Sequence, residues 1–501
     1  MVIALSDSFI ENPRSFLQRF QDALFAGSKP DLQGTLGIDE EVSNIFATEE
    51  RIRKIPNYLD CKWSELKTGQ LLRLQGMVQD TNFGHEFFAG AVEVNENIWR
   101  GCRYILDFSE DEMHLDESKI VLDERYSLFL TNVPGERTLP VIEALGNWGS
   151  ESLKERSLKY SNRLQASNDT GVCVKCYGGM ETKVQVCQAI DVIGIYEEPS
   201  EYSDGLPILH MLCFKDYTQS ATQAPSPQQA EIIRPKILKY FEKVLGENIA
   251  AESLMLALLS NVVHKTTGLV IGGFTLNLTN CTSELVSQLV SVLRPLIKRM
   301  VIQKVNVAEL NRKPLYPLSD GETLDTSHLQ VAPGTLIVLD ETELSSGTLN
   351  DVGCRNVQFL SSLISQQDLT FFYPFSSFTV HSNVRIIILS HGRSILPADV
   401  GCRCRGDSPD TIEFPTDSDE LQEFCNFFHM WNMRANIPEN MLDYIQSTYV
   451  SSRQYNKEIN EKTLSLQINC SRLYAKSFGR QLVSRIDFEA ARSLINHWTV
   501  N

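Results

Sequence analysis

Two acidic residues, Asp340 and Glu341, follow directly on the apolar run Leu336, Ile337, Val338 and Leu339. Carboxylates at the exit of a buried strand can hold a magnesium ion and polarise a water, as they do in nucleoside triphosphatases. The same pattern arises without chemistry, because strands of parallel sheets are apolar runs that end in solvated charges. A phosphate loop upstream separates the two readings. There the chain reads GGFTLNLTNCTSEL over residues 272–285. It opens with Gly272 and Gly273 but has no later glycine at the GxxxxGK[ST] spacing, and no lysine. Cradling phosphates requires glycines that let backbone N–H groups converge, and a lysine that reaches the outer phosphates. The residues therefore predict no ATP hydrolysis.

The cysteines offer less. Cys173 and Cys176 have the CxxC spacing, with Cys187, His210 and Cys213 as the nearest further ligands. A closed zinc site needs four ligands, and in a strand Cys173 and Cys176 point to opposite faces. Cys402 and Cys404 share a face but have no second pair nearby. Buried thiols are expected at both places, with no metal and no cofactor. Twelve scattered cysteines fit a reducing compartment. A net charge of −17 argues against a dedicated nucleic-acid surface and fits protein partners. No apolar run is long enough to span a membrane, and residues 1–4 are too short for a signal peptide.

The elements around these residues follow from periodicity. Residues 9–25 read as one amphipathic helix. Residues 63–135 are β-rich: a strand from Leu71 should turn at residues 79–82, with further strands at 87–94, 104–108 and 126–131. The lead-in Lys67-Thr68-Gly69 suits the first strand of an OB-like barrel, which residues 172–177 and 189–196 would complete beyond a polar insertion at 153–171. Residues 220–227 form a linker. Helices are expected at 230–245, 248–264 and 283–293, with a strand before the last of these at 269–271 or 274–278. A strand near Val301, a hairpin at 371–380 with Pro374 near its tip, and a buried strand at 384–389 ending in Ser390 and His391 follow. Residues 401–420 read as a surface loop. Helices at 421–431, 438–450, 464–478 and 487–498 close the chain, the last capped by Asp487.

The strand–helix–hairpin–strand order, with Gln366-Gln367 before the hairpin, resembles the AAA+ domain of mini-chromosome maintenance (MCM) helicase subunits. The longer blocks are most similar to the MCM-binding protein family. They are RLQGMVQDTNFGHEFFAG (73–90), NVPGERT (132–138), IAAESLMLALLSNV (249–262), GGFTLNLTNC (272–281), LIVLDETELSSGTL (336–349) and VRIIILSHGRSILPADV (384–400). The main departure is at 153–171, where relatives carry a much longer low-complexity insertion.

The resemblance implies an α/β multidomain chain. It has an N-terminal helical segment (1–62), a β-rich OB-like domain (63–217), a linker (218–229), a degenerate AAA+-like α/β domain (230–410) and a C-terminal helical lid (411–501). Gly272, Gly273, Asp340 and Glu341 then become remnants of a nucleotide site. Ser390 stands where helicase subunits carry a sensor Asn, and Lys462 where their lid carries a sensor Arg. The implied function is non-catalytic. The protein would bind MCM subunits in place of one of them, promote disassembly and unloading from chromatin, and regulate replication and sister-chromatid cohesion in the nucleus. Alternatives are a chaperone for newly made MCM subunits and a residual nucleotide-binding protein. No direct nucleic-acid or membrane contact is expected.

Overall fold

The structure is a computed structural model that describes residues 2–25, 29–61, 65–104, 117–136, 171–200, 203, 205–217, 224–266, 269–321, 324–405, 418–455, 457 and 459–500. The insertion expected at 153–171 lies outside these residues except for Gly171, as does the strand expected at 104–108 except for Tyr104. The fold is mixed α/β and divides into two compact units. One comprises Met1–Val133, Thr138–Thr218 and Thr323–Thr326; the other comprises Pro134–Arg137, Gln219–Glu322 and Ser327–Asn501.

The first unit begins with two helices, Val2–Glu11 and Pro13–Leu24, where one was expected. Asn12 breaks the run by capping: its side chain accepts from Ser15 N at 3.1 Å, and Pro13 occupies the first helical position. Phe9 and Leu17 bury with Val42 and Ile45 of the helix Ile38–Ile45 against Leu71, Ile193 and Leu212.

Strand β1 (Leu71–Asn95) is 25 residues long. It is followed by β2 (Ile98–Gly101), β3 (Ile120–Thr131), β4 (Gly171–Tyr177), β5 (Ala189–Glu197) and β6 (Ile208–Asp216). The turn expected at residues 79–82 is not a chain reversal. The strand runs through it, with register shifts against β3 between Val78 and Asp80 and between Asp80 and Gly84. Bulges of this kind bend a strand without ending it. The bend lets β1 serve two neighbours: Leu71 to Met77 pair with β5, and residues beyond pair with β3 and β2. The order β1-β3-β4-β6-β5 thereby closes on β1, with β4 and β6 parallel. Leu74, Val78, Leu130, Val174, Val192 and Met211 fill the interior. Gly76 is needed at the closure, since a Cβ there would lie 2.8 Å from Thr131 O.

The second unit centres on a parallel sheet. After the short hairpin β7 (His264–Thr266) and β8 (Leu269–Ile271) come β9 (Leu276–Thr279), β10 (Met300–Lys304), β11 (Leu318–Ser319), β12 (Leu324–Asp325, counted with the first unit), β13 (Leu336–Asp340), β14 (Asp368–Phe372), β15 (Ser377–His381), β16 (Arg385–Leu389), β17 (Val400–Arg403) and β18 (Thr499–Val500). The order is β10-β13-β16-β9-β17-β18, parallel except for β18. All five residues of β13 and of β16 are buried, as parallel strands covered on both faces require. The helix Asn248–Leu259 packs into the same core with Leu254, Met255, Leu256, Leu258 and Leu259 wholly buried. Each such side chain contributes roughly 1.5–3 kcal/mol.

Two further expectations are corrected. The surface loop expected from residue 401 begins instead as the buried strand β17, with Cys402 and Cys404 both in the core. The last helix, Arg485–Ile495, is capped by Ser484 rather than Asp487; Asp487 returns the bond from the third helical position, so the two form a capping box. Among the described residues no helix is long and apolar enough to cross a membrane.

Candidate functional site

In open parallel sheets ligands bind beyond the carboxyl ends of the strands, where the strand order reverses. Here that place is the end of β9, which lies between β16 and β17 although it comes first in the chain. Lys304, Asp340, Leu389 and Leu278 stand in cross-strand register at this edge. Backbone bonds fix it: Glu341 N donates to Leu389 O at 2.8 Å, Ser390 N to Leu278 O at 2.9 Å and Cys281 N to Ser390 O at 3.0 Å. Asp340, Glu341 and Ser390 are thus brought together.

Gly272 and Gly273 are not part of this edge. They precede β9 and lie towards its entry end, where Gly272 N donates to Asn469 Oδ1 at 3.3 Å. The connection that actually joins β9 to the following helix, Ser283–Leu296, is Asn280-Cys281-Thr282. It is short and already tied down. Thr282 caps the helix through Leu285 N at 3.2 Å, and Asn280, at φ +65°, donates to Cys404 O at 3.0 Å. Lys462 is exposed in the first turn of the helix Glu461–Ser477; among the described residues no hydrogen bond or ion pair joins it to Asp340, Glu341 or Ser390.

The polar atoms at the exit edge serve the fold. Asp340 Oδ1 accepts from the Thr342 amide at 3.0 Å and its hydroxyl at 2.6 Å. Ser390 Oγ donates to Asn277 Oδ1 at 2.9 Å. Glu341 is 2% exposed, and its Oε1 accepts from Ser394 Oγ at 2.9 Å. Burial pushes the Glu341 carboxyl up to about 7, against the opposing pull of hydrogen bonds from Ser394 and the Ile395 and Leu396 amides. A glutamate so buried resists ionisation and is engaged inward through Oε1.

Three participants escaped the sequence reading. Asn277 and Ser394 carry no motif. Lys304 supplies a cation beside Asp340, but it comes from β10 rather than from a phosphate loop, and its Nζ is bound to Glu343 at 3.0 Å. Its position at the end of an apolar strand was the available signal. Among the described residues no group of three or more His, Cys, Asp or Glu is placed to hold a metal. Cys173, Cys176, Cys402 and Cys404 are buried free thiols.

The family described as mini-chromosome maintenance replisome factor matches residues 42–139 and 201–495. The chain belongs to this family. A mini-chromosome maintenance complex-binding protein from Arabidopsis thaliana is 24% identical over 562 residues, covering 93% of this chain and 94% of the relative. The protein of that name from Salmo salar is 25% identical over 598 residues, covering 94% and 95%. One from Drosophila melanogaster is 29% identical over 271 residues, covering 50% of this chain and 45% of its own length. The replisome-factor match therefore runs through both units and includes the exit edge described above.

Proposed function

We propose that the protein is a non-catalytic binding partner of the MCM helicase complex. The observation that carries this reading is the near end-to-end match to relatives named for binding that complex. The site geometry is in keeping with it. The β9-to-helix connection is three residues long, has no lysine, and spends its helix cap on Thr282. The acidic pair that would hold magnesium is bonded to Thr342 and Ser394.

The sheet order, with the acidic pair at the exit of β13 and the β14–β15 hairpin before β16, supports a degenerate AAA+-like domain; the helices from residue 418 onward are its lid. The closed five-stranded barrel, with β4 and β6 parallel, supports an OB-like domain. A domain with this framework offers a ring ATPase the surface of a neighbouring subunit without its chemistry. The protein takes the place of one subunit, promotes disassembly and unloading of the complex from chromatin, and acts in the nucleus during replication and sister-chromatid cohesion.

The test is reconstitution. Purified full-length chain is mixed with assembled helicase, with and without ATP, and separated by size. Exchange for one subunit irrespective of ATP is the expected result. No association with any subunit would overturn the reading, and association without displacement would reduce it to a chaperone or adaptor.

A further inference from the structure

The hairpin β14–β15 presents an exposed, aromatic surface. Its strands pair from Asp368 with His381 to Phe372 with Ser377. The tip is a tight turn in which Tyr373 N donates to Ser376 O at 2.8 Å. Pro374 and Phe375 occupy its two corners, and Pro374 at the first corner fixes the backbone there. Phe375 is fully exposed, at 101%. Behind it Phe378 stacks on the buried Phe371, centroids 4.6 Å apart and planes 6° from parallel, and keeps 41% of its own surface exposed. Phe372, 38% exposed, is held edge-on to Tyr316 at 4.9 Å.

A single exposed apolar residue requires no explanation. An aromatic at the tip of a paired hairpin is different, because the strand pairing and Pro374 already fix the backbone that presents it, leaving only the side chain to be ordered on association. Two more features mark it. Residues 369–380 contain no charged side chain in a chain that is 22% charged. Depletion of charge with enrichment of aromatics is the composition of protein interface cores. β15 is also an edge strand, exposed at four of five positions, and it carries none of the lysine, proline or bulge that guards such edges.

We infer that this hairpin is the anchor by which the protein grips a helicase subunit, with Phe375 entering an uncharged apolar pocket on that subunit. The inference rests on the binding function proposed above and assigns it an element. The absence of any Lys or Arg between residues 369 and 380 leaves nothing to meet a phosphate backbone or an anionic lipid surface.

The experiment measures binding of the full-length chain to each purified helicase subunit in turn, for wild type, Phe375→Ala and Phe375→Leu. Phe375→Ala should weaken the interaction at least about 30-fold, the effect of losing an interface hot spot. Phe375→Leu, which keeps an apolar side chain, should retain most of the affinity. Both variants should melt with the wild type, because the replaced side chain touches solvent. If wild type binds a subunit and Phe375→Ala binds within about twofold of it, the hairpin is not the anchor, although the binding function stands. If wild type binds no subunit, both fall. The mass in solution is read in parallel: a wild-type dimer that Phe375→Ala converts to a monomer would make a second copy the occupant and overturn the proposal.

Discussion

The two ends of the parallel sheet hold their buried ionisable groups in opposite ways. At the exit end stand Asp340 and Glu341, the residues that resemble chemistry. At the entry end stand Arg385 and Lys476, both in the interior and neither bonded to a carboxylate among the described residues. Arg385 donates to Leu258 O at 2.7 Å and Gly334 O at 2.6 Å and lies over Trp431 at 5.4 Å. Lys476 Nζ donates to Asn261 Oδ1 at 2.7 Å and Trp431 O at 2.6 Å. Burial, with Arg299 nearby, pushes the Arg385 guanidinium down to about 9; burial, with Arg385 nearby, holds Lys476 well below the usual ammonium range. A buried cation is tolerated where carbonyls take the place of water. Arg385 fastens the start of β16 to the end of the helix Asn248–Leu259, and Lys476 ties the helix Glu461–Ser477 to Asn261 and to the Trp431 carbonyl. The exit end looks functional and is closed by its own side chains; the entry end has no recognisable motif and carries more of the fold's polar energetics.

Substitutions can break or sharpen that contrast. The largest effect belongs to the entry end. Arg385→Ala leaves the Leu258 and Gly334 carbonyls unpartnered and uncovers Trp431, and should cost about 4 kcal/mol, read as a lower urea midpoint. Glu341→Gln comes next, with the opposite sign. The folded-state pKa is raised, so ionising Glu341 opposes folding: the cost is absent below the unfolded value of 4.5, grows as pH rises, and is complete above about 7. The amide should therefore stabilise the protein by about 3 kcal/mol at pH 8 and by almost nothing at pH 4.5, seen in melts at the two pH values. Ser394→Ala removes the bond to the ionised Glu341 and should destabilise by about 1 kcal/mol at pH 8, less at pH 4.5. Asp340→Asn should be smallest, below about 1 kcal/mol, with helicase binding unchanged. ATP hydrolysis by the wild type that disappears in Asp340→Asn would reverse the contrast between the ends.

The sequence made the exit end legible and the entry end opaque for one physical reason. Apolar runs that stop in charge mark where strands leave the core, so β13 and β16 could be read directly from their residues. A cation held by carbonyls has no charged partner in the sequence: the acceptors here are three backbone carbonyls and the Asn261 amide oxygen, all from distant segments. Two local signals also misled. Gly272-Gly273 looks like the opening of a phosphate loop, yet β9 starts after it and the glycines end the β7–β8 hairpin. Gln79 to Asn82 has the composition of a turn, but pairing of β1 with β3 on both sides holds it extended. The helix boundary at Asn12-Pro13 was readable from capping chemistry and was masked by the phenylalanines that continue the apolar face across it.

The closure of the barrel has a consequence for how the chain comes into being. On the side of β1 that closes the barrel, Leu71 pairs with Ile195 and Met77 with Ala189. Until the ribosome has delivered those residues, the first half of β1 has one side without its neighbour, and ring closure waits on a loop of well over a hundred residues. Pairings this remote are slow and leave strand edges open to other chains in the meantime. Until that closure, the first half of β1 presents an unpaired edge, the kind of edge on which other chains can pair.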